Sequence, residues 1–387
     1  MDICIRGARL MDPAQQIDCH ADLAVSQGKI MAVGSQIAGQ ADLEIDGTDC
    51  LLVPGLVDMH AHVGGSEVAV LSLPVDEAGL LRGVTHVVDA GTAGVANMDC
   101  LLAQTAQAQT PVSVFLNAHP YGIASLPQDW SQGLDVSAMD HMLEQLADHI
   151  TGIKVIASAA FAAHIGLKGL RQLKSLAGQH CIPLMIHLGT EHEDTLPADW
   201  ERFCGELPAI LDAGDILSHC FTGKPGGLIT PDKRFYPQLR DAVRRGVALD
   251  AAVALRHFDF SRARQGLEDG FSPRTISTDL TRNNEARSVF DLPTTMSRFI
   301  ALGMSLGETV SCTTRNPRLL LRQPEVIIRQ GEPAVLSLLR EHHGPCLYGD
   351  GDNAMPGSYM LTPEGVIWHN TFLPSTRRDV TPAIEQH

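Results

Sequence analysis

The 387 residues are 44% hydrophobic and 19% charged, which supplies enough apolar chain for a large core and argues against wholesale disorder. Lys+Arg 29 against Asp+Glu 45 leave a formal charge of −16, which opposes binding to nucleic acid or to an anionic membrane. The length suits an α/β barrel with a modest second domain. No apolar run approaches the ~18 residues of a membrane span. The start, Met1-Asp-Ile-Cys-Ile-Arg-Gly7, lacks the basic and apolar regions of a signal peptide. Nine scattered cysteines without Cys-x-x-Cys pairs suit reduced thiols in a reducing compartment. The expectation is a cytoplasmic protein acting on a small molecule, with a homo-oligomer left open.

In chain order, Asp22-Leu-Ala-Val-Ser26 and Lys29-Ile-Met-Ala-Val33 flank Gln27-Gly28, a hairpin signal. Asp42-Leu-Glu-Ile45 and Leu51-Leu-Val53 continue in the same style. The C-terminal end returns to it with Val335-Leu-Ser-Leu-Leu339, and Ser358–Thr362 and Val366–Asn370 flank Pro363-Glu-Gly365 as a second hairpin. Residues 1–53 and 317–387 are therefore assigned to one small β-sandwich built from both termini. The last ~14 residues are polar and read as a frayed end.

The middle, residues 54–316, alternates short apolar runs with helical periodicity. The runs are Leu56–His60, Val84–Asp89, Val112–Asn117, Gly152–Ile156, Pro183–His187, Asp215–His219, Gly246–Asp250 and Arg274–Asp279. Met139, Met142, Leu143, Leu146 and Ile150 share one helical face between the third and fourth runs, and the methionines there are core filler. Eight strands separated by helices predict a (β/α)8 barrel, the TIM-barrel form of the α/β class. Seven of the eight runs end in a polar residue (His60, Asp89, Asn117, His187, His219, Asp250 and Asp279), where a barrel gathers its active site.

His60-Ala-His62 places two imidazoles on one face of a strand, able to reach a single metal. With 17 histidines among 387 residues, chance alone supplies nearly one such pair, so the weight comes from context. His187 and His219 add nitrogen donors from the fifth and sixth strands. Asp279 closes the eighth strand, beside the first in a closed barrel. Imidazoles and a carboxylate without thiolate suit zinc, with manganese or another first-row ion as alternatives. Lys154 lies inside an apolar strand, where a cation is costly. A salt-bridged or snorkelling lysine is the plainer local reading. Near two dications, however, a neutral amine can capture CO2, from bicarbonate, as a carbamate (N6-carboxylysine) that bridges both. Cys220, beside His219, reads as a small buried hydrophobe rather than a nucleophile.

The ordered set Pro54-Gly-Leu-Val-Asp-x-His60-x-His62, Gly152-Ile-Lys154, Ile186-His187, Ser218-His-Cys220 and Ser277-Thr-Asp279 resembles the amidohydrolase superfamily in its binuclear, carboxylated-lysine branch. The likeness spans about residues 1 to 340. Within the superfamily, Gly83–Gly91, His219–Pro225 and Asp291–Ser297 are most similar to bacterial deacetylase-type metallohydrolases often labelled dihydroorotases. The resemblance implies two divalent metals, with His60, His62 and Asp279 on the more buried one. His187 and His219 would hold the more exposed one, and carboxylated Lys154 would bridge the two. It also implies a metal-bridging hydroxide as nucleophile and Asp279 as the catalytic proton shuttle. The activity implied is removal of an acyl group, amide or ester, from a small acylated amino acid or hydroxy acid. A cyclic amidase of hydantoinase or dihydroorotase type is the alternative, and a non-catalytic scaffold the second.

Departures from the family pattern sharpen this. Gly64 stands where dihydroorotases carry an arginine for the substrate carboxylate, and glycine cannot supply that bidentate grip. Ala252-Val-Ala254 replaces a Gly-His-Gly loop, and Asn316-Pro-Arg318 an Asn-Pro-Ala. Asn117, His119, Tyr121, Lys224, Arg256 and Arg282 are candidate substrate contacts by their place after the strands. Gly223-Lys-Pro-Gly-Gly227 lacks the upstream glycine of a P-loop, and Gly349-Asp-Gly-Asp-Asn353 is a turn too short for a calcium loop.

Overall fold

The computed structural model describes residues 1–190, 196–230, 232, 234–287 and 289–377. Five strands open the chain: β1 (Ile3–Asp12), β2 (Ile17–Ser26), β3 (Lys29–Gly34), β4 (Leu43–Asp46) and β5 (Cys50–Pro54). Seven follow in the middle: β6 (Leu56–Ala61), β7 (Val84–Asp89), β8 (Val112–Asn117), β9 (Ile150–Ile156), β10 (Leu184–His187), β11 (Ile216–Ser218) and β12 (Ala248–Asp250). Three end it: β13 (Val335–Gly349), β14 (Ala354–Trp368) and β15 (Thr371–Pro374). Strands from both ends form one eight-stranded sheet in the order β15-β14-β13-β5-β1-β2-β3, with β4 on β1. The splice between the ends is the antiparallel pairing of β5 with β13, from Cys50 opposite Arg340 to Pro54 opposite Leu336.

Strands β6 to β12 run parallel in sequence order, a nearly closed barrel with helices between the strands. The expected eighth strand, Arg274–Asp279, is not a continuous strand. It joins its neighbours through two isolated bridges, Asp250 with Thr275 and Ala61 with Leu280. Side-chain carboxylates reinforce the contact. The Asp250 carboxylate accepts from Thr275 Oγ1 and Ser277 Oγ, each at 2.7 Å, and Asp58 accepts from the Thr278 amide at 3.1 Å. The Thr278 amide is thus diverted to a carboxylate, while the Ala251, Val253 and His62 amides still reach the Thr275, Ser277 and Leu280 carbonyls, so the segment closes the ring.

Inside the barrel, Met59, Val88, Ala90, Phe115, Met185, Ile216 and Ala248 form one apolar cluster, with Leu320 and Leu321 packed against it. Outside, amphipathic helices cover the strands. Gly166–Gln179 buries Leu170, Leu173 and Leu176, each worth about 1.5–3 kcal/mol when removed from water. The helix Val136–Gln145 is capped by Asp135, which accepts from the Ala138 amide, and buries Met139 and Leu143. It ends before Ile150, which instead begins β9.

The Gln27-Gly28 hairpin forms as expected, with both residues at positive φ (53° and 72°), the geometry of a two-residue turn. Pro363-Glu-Gly365 does not turn. It lies inside β14, where Leu338 pairs with Gly365 and Leu339 with Pro363, so Glu364 is the extra residue of a bulge. The turn lies instead at Asp350, whose Oδ1 accepts from the Asp352 and Asn353 amides. Residues 378–387, most of the expected frayed end, lie outside the described residues. Among the described residues no helix is long and apolar enough to cross a membrane.

Near the helix Arg315–Leu320, Arg318 is buried and donates to the Gly55 carbonyl at 3.4 Å, a structural role. Close by, His86 is buried against Ser113 Oγ (2.9 Å) and Gln323 Nε2 (3.1 Å). Burial, aided by Arg318, pushes its pKa down to about 3. An unfolded histidine titrates near ~6.5, so below that pH protonation favours the unfolded chain. The His86 contribution is fully present above ~6.5 and is lost as pH falls toward the folded value, about 2 kcal/mol of it by pH ~5. His86→Gln is therefore expected to flatten stability against pH between these limits, as read by urea melts. An unchanged slope would refute it.

Candidate metal centre

The ligand candidates meet at the C-terminal mouth of the barrel. His60, on β6, is fully buried; its Nδ1 lies 2.7 Å from Ser218 Oγ, which itself donates to Asp250 Oδ2 at 2.7 Å. Because the serine proton is committed to Asp250, His60 Nδ1 must be the donor, and its Nε2 lone pair faces inward. His219 repeats the device, with Nδ1 donating to the Ala252 carbonyl at 2.6 Å. His62 Nδ1 rests 3.0 Å from Thr92 Oγ1. Such outer partners fix the tautomer and ring orientation of metal-ligating histidines.

The inward nitrogens converge on Asp279. Its Oδ1 lies 3.1 Å from His62 Nε2 and 3.4 Å from His60 Nε2, and its Oδ2 lies 3.7 Å from His219 Nε2. Lys154 Nζ is 3.0 Å from His60 Nε2 and 3.5 Å from Met185 Sδ. Gly91 makes room for the lysine stem, since a Cβ there would stand 2.7 Å from Lys154 Cβ. His187, partly exposed at the end of β10, brings its ring centroid within 4.2 Å of that of His219. All six residues named from sequence are thus neighbours.

Electrostatics favours ligands ready to bind. Burial first, and then neighbouring cationic groups, hold His60, His187 and His219 well below the usual histidine range, so each is a neutral imidazole. Burial likewise pushes Lys154 down to about 8. His219 Nε2 and Asp279 Oδ1 are buried with no hydrogen-bond partner among the described residues. One ligand atom from each of His60, His219 and Asp279 lies within 4.8 Å of the others. Orphaned lone pairs on neutral nitrogen and carboxylate oxygen, gathered at that separation, fit a divalent cation. The backbone takes part as well. His219 (φ 60°) and Asp279 (φ 51°) are left-handed, as are Ala252 (38°) and Ala254 (52°), a strain of roughly 1–2 kcal/mol for an alanine. Cys220 is buried, and burial pushes its thiol up, which removes it as a nucleophile.

A cavity of about 540 Å³ opens over this centre and includes His62, His187 and Asp279 in its lining. Of the six substrate-contact candidates, Arg256 lines it. Asn117 is buried and donates to the Gly91 carbonyl, and His119 lies against Asp129 O and Trp130. Tyr121, Lys224 and Arg282 sit on the mouth loops outside the lining. His257 and Asn284 also line the cavity, though neither ends a strand. The His257 ring lies 4.6 Å from those of His187 and His219. Its place in the loop after β12, one residue beyond Arg256, was the available signal. Gly64 has φ +107°, and a Cβ would stand 2.7 Å from Val68 Cγ2 and 2.9 Å from Leu101 Cδ1. Both the backbone and the space there exclude a longer side chain.

No family model matches the chain. A deacetylase of Brucella anthropi is 31% identical over 315 residues, 79% of this chain and 75% of that protein. A deacetylase of Agrobacterium fabrum is 33% identical, over 76% of this chain and 72% of its own. Among solved structures, a dihydroorotase matches with TM-score 0.83 and 26% identity, over 96% of this chain and 99% of that one. The chain belongs to the amidohydrolase superfamily. An adenine deaminase of the same superfamily matches with TM-score 0.82 and 25% identity, over 97% of this chain and all of that one. Membership and the His60–His219–Asp279 group together support a metal-dependent hydrolase.

Proposed function

We propose that this amidohydrolase removes an acyl group, held as an amide or ester, from a small acylated amino acid or hydroxy acid. The observation that carries the reading is the set of inward Nε2 atoms of His60, His62 and His219 around the Asp279 carboxylate, under a cavity lined by Arg256. The deacetylase relatives support the acyl choice. His60, His62 and Asp279 would hold one divalent ion, zinc or another first-row metal, and His187 and His219 a second. When bound, such ions polarise the scissile carbonyl and acidify the attacking water.

The chain's own residues do the rest. Arg256 orients the substrate through its carboxylate. As the water oxygen bonds to the acyl carbon, Asp279 accepts the water proton. It then delivers that proton to the leaving nitrogen or oxygen as the bond to the acyl carbon breaks, giving a carboxylic acid and an amine or alcohol. Ser218 and Asp250 keep His60 in register throughout. Gly64 weighs against the cyclic-amidase reading in its dihydroorotase form, because no arginine fits there. The test is a panel of N-acetyl amino acids and O-acetyl hydroxy acids set against hydantoins and cyclic imides. Ring opening without deacylation would overturn the proposal.

Lys154 would enter this reading as a carbamate, its neutral amine bonding to the carbon of CO2 with loss of one proton, and would supply the metals an anionic oxygen ligand. Its burial and its approach to His60 support this. Protein prepared with isotopically labelled bicarbonate is expected to show a carbamate carbon resonance. Lys154→Met is expected to lose that signal together with at least one equivalent of bound metal. Full metal content in the variant would refute the bridge.

A further inference from the structure

We propose that the substrate carries an extended apolar chain alongside its carboxylate; this rests on the deacylase reading above and narrows it. The cavity is far larger than an acetyl group beside a small amino acid needs, and its volume falls in the range of roughly 300–1,000 Å³ that takes a drug-sized ligand. Leu71, Ile123, Leu126, Pro127, Ile156 and Leu255 make up much of its wall. Exposed apolar side chains also occur on this side of the barrel. Val70 is 77% exposed, Tyr121 56%, Leu126 47% and Leu196 40%. All four lie on loops that leave the C-terminal ends of β6, β8 and β10, on the same side as the metal centre.

Of these, Leu126 lines the cavity itself and Val70 directly precedes the lining residue Leu71. Within the cavity, Arg256 is the one lysine or arginine among the described lining residues, and it makes no ion pair with a described residue. In a chain of charge −16, a single guanidinium in a cavity with this apolar share selects an anion with a hydrocarbon tail. The chain can belong to the acyl half or to the amine half. The wall recognises its chemistry in either case.

The test uses metal-loaded protein and straight-chain carboxylates from acetate to decanoate, titrated calorimetrically. Affinity is expected to rise about two- to fourfold per methylene, the gain from taking each out of water. Leu126→Ser, at a half-exposed lining position, is expected to flatten that rise. Arg256→Gln is expected to weaken all lengths alike, by about tenfold. Turnover of N-octanoylglycine, and of N-acetylated 2-aminodecanoic acid, against N-acetylglycine then shows which half bears the chain. Affinity that stays flat with length, or a slope that Leu126→Ser leaves unchanged, would overturn the proposal even if acetylated substrates are hydrolysed. Length-dependent binding without any deacylation would leave it standing and sink the deacylase reading instead.

Discussion

Asp279→Asn is expected to lower kcat/KM by roughly 10²–10⁴-fold in metal-replete protein, the usual loss on removing a general acid–base. The substitution keeps size and shape. It also keeps the backbone, because asparagine tolerates the left-handed conformation that Asp279 adopts at φ 51°. The Asn284 side chain, which donates to the Asp279 carbonyl at 2.7 Å, is untouched. The thermal midpoint should therefore hold while activity falls. Metal content must be measured beside the rate, since the same carboxylate lies 3.1 Å from His62 and 3.4 Å from His60. A variant that retains its metals and works within tenfold of the parent would remove Asp279 from the proton path.

Asp250→Ala is expected to cost stability on the order of 3–6 kcal/mol, because a fully buried carboxylate that satisfies three hydroxyls disappears. Thr275, Ser277 and Ser218 each donate to it at 2.7 Å, and all three are fully buried. Thr275 and Ser277 fasten the eighth segment to β12, so the ring should loosen where it is already thinnest. Through Ser218 the loss reaches His60, and metal retention should drop with it. Asp250→Asn, which keeps a single acceptor oxygen, should fall between. Thermal melting reads the effect as a fall of about 5–15 °C in Tm. A shift under about 2 °C would show that the closure rests on the backbone bridges alone.

What could be read from sequence follows from where each feature gets its geometry. His60, His62, Lys154, His187, His219 and Asp279 were visible because a parallel barrel sets strand ends side by side, so order along the chain becomes order around the mouth. The apolar runs showed seven strands for the same reason. The eighth misled, since Thr275, Ser277 and Thr278 look like strand residues while the Thr278 amide turns to the Asp58 carboxylate and only isolated bridges form. Pro363-Glu-Gly365 misled in the opposite direction: turn-forming residues also serve a bulge, and only the register of β13 distinguishes them. The cavity wall was the least legible part. Leu71, Gln128, Ser158 and Asn284 come from four separate loops, and no periodicity reports how loops converge.

The union of the two chain ends in one sheet has a consequence for synthesis. As the chain leaves the ribosome, β1 to β5 emerge first, yet β5 finds its outer neighbour only when β13 has been made. Until then its rim, from Cys50 to Pro54, is an open template of unpaired amides and carbonyls, attractive to any other nascent copy. The barrel must therefore mature while one edge of its companion sheet waits. Cells producing this protein quickly should gain more soluble product from slowed translation or added chaperone than from any substitution at the metal centre.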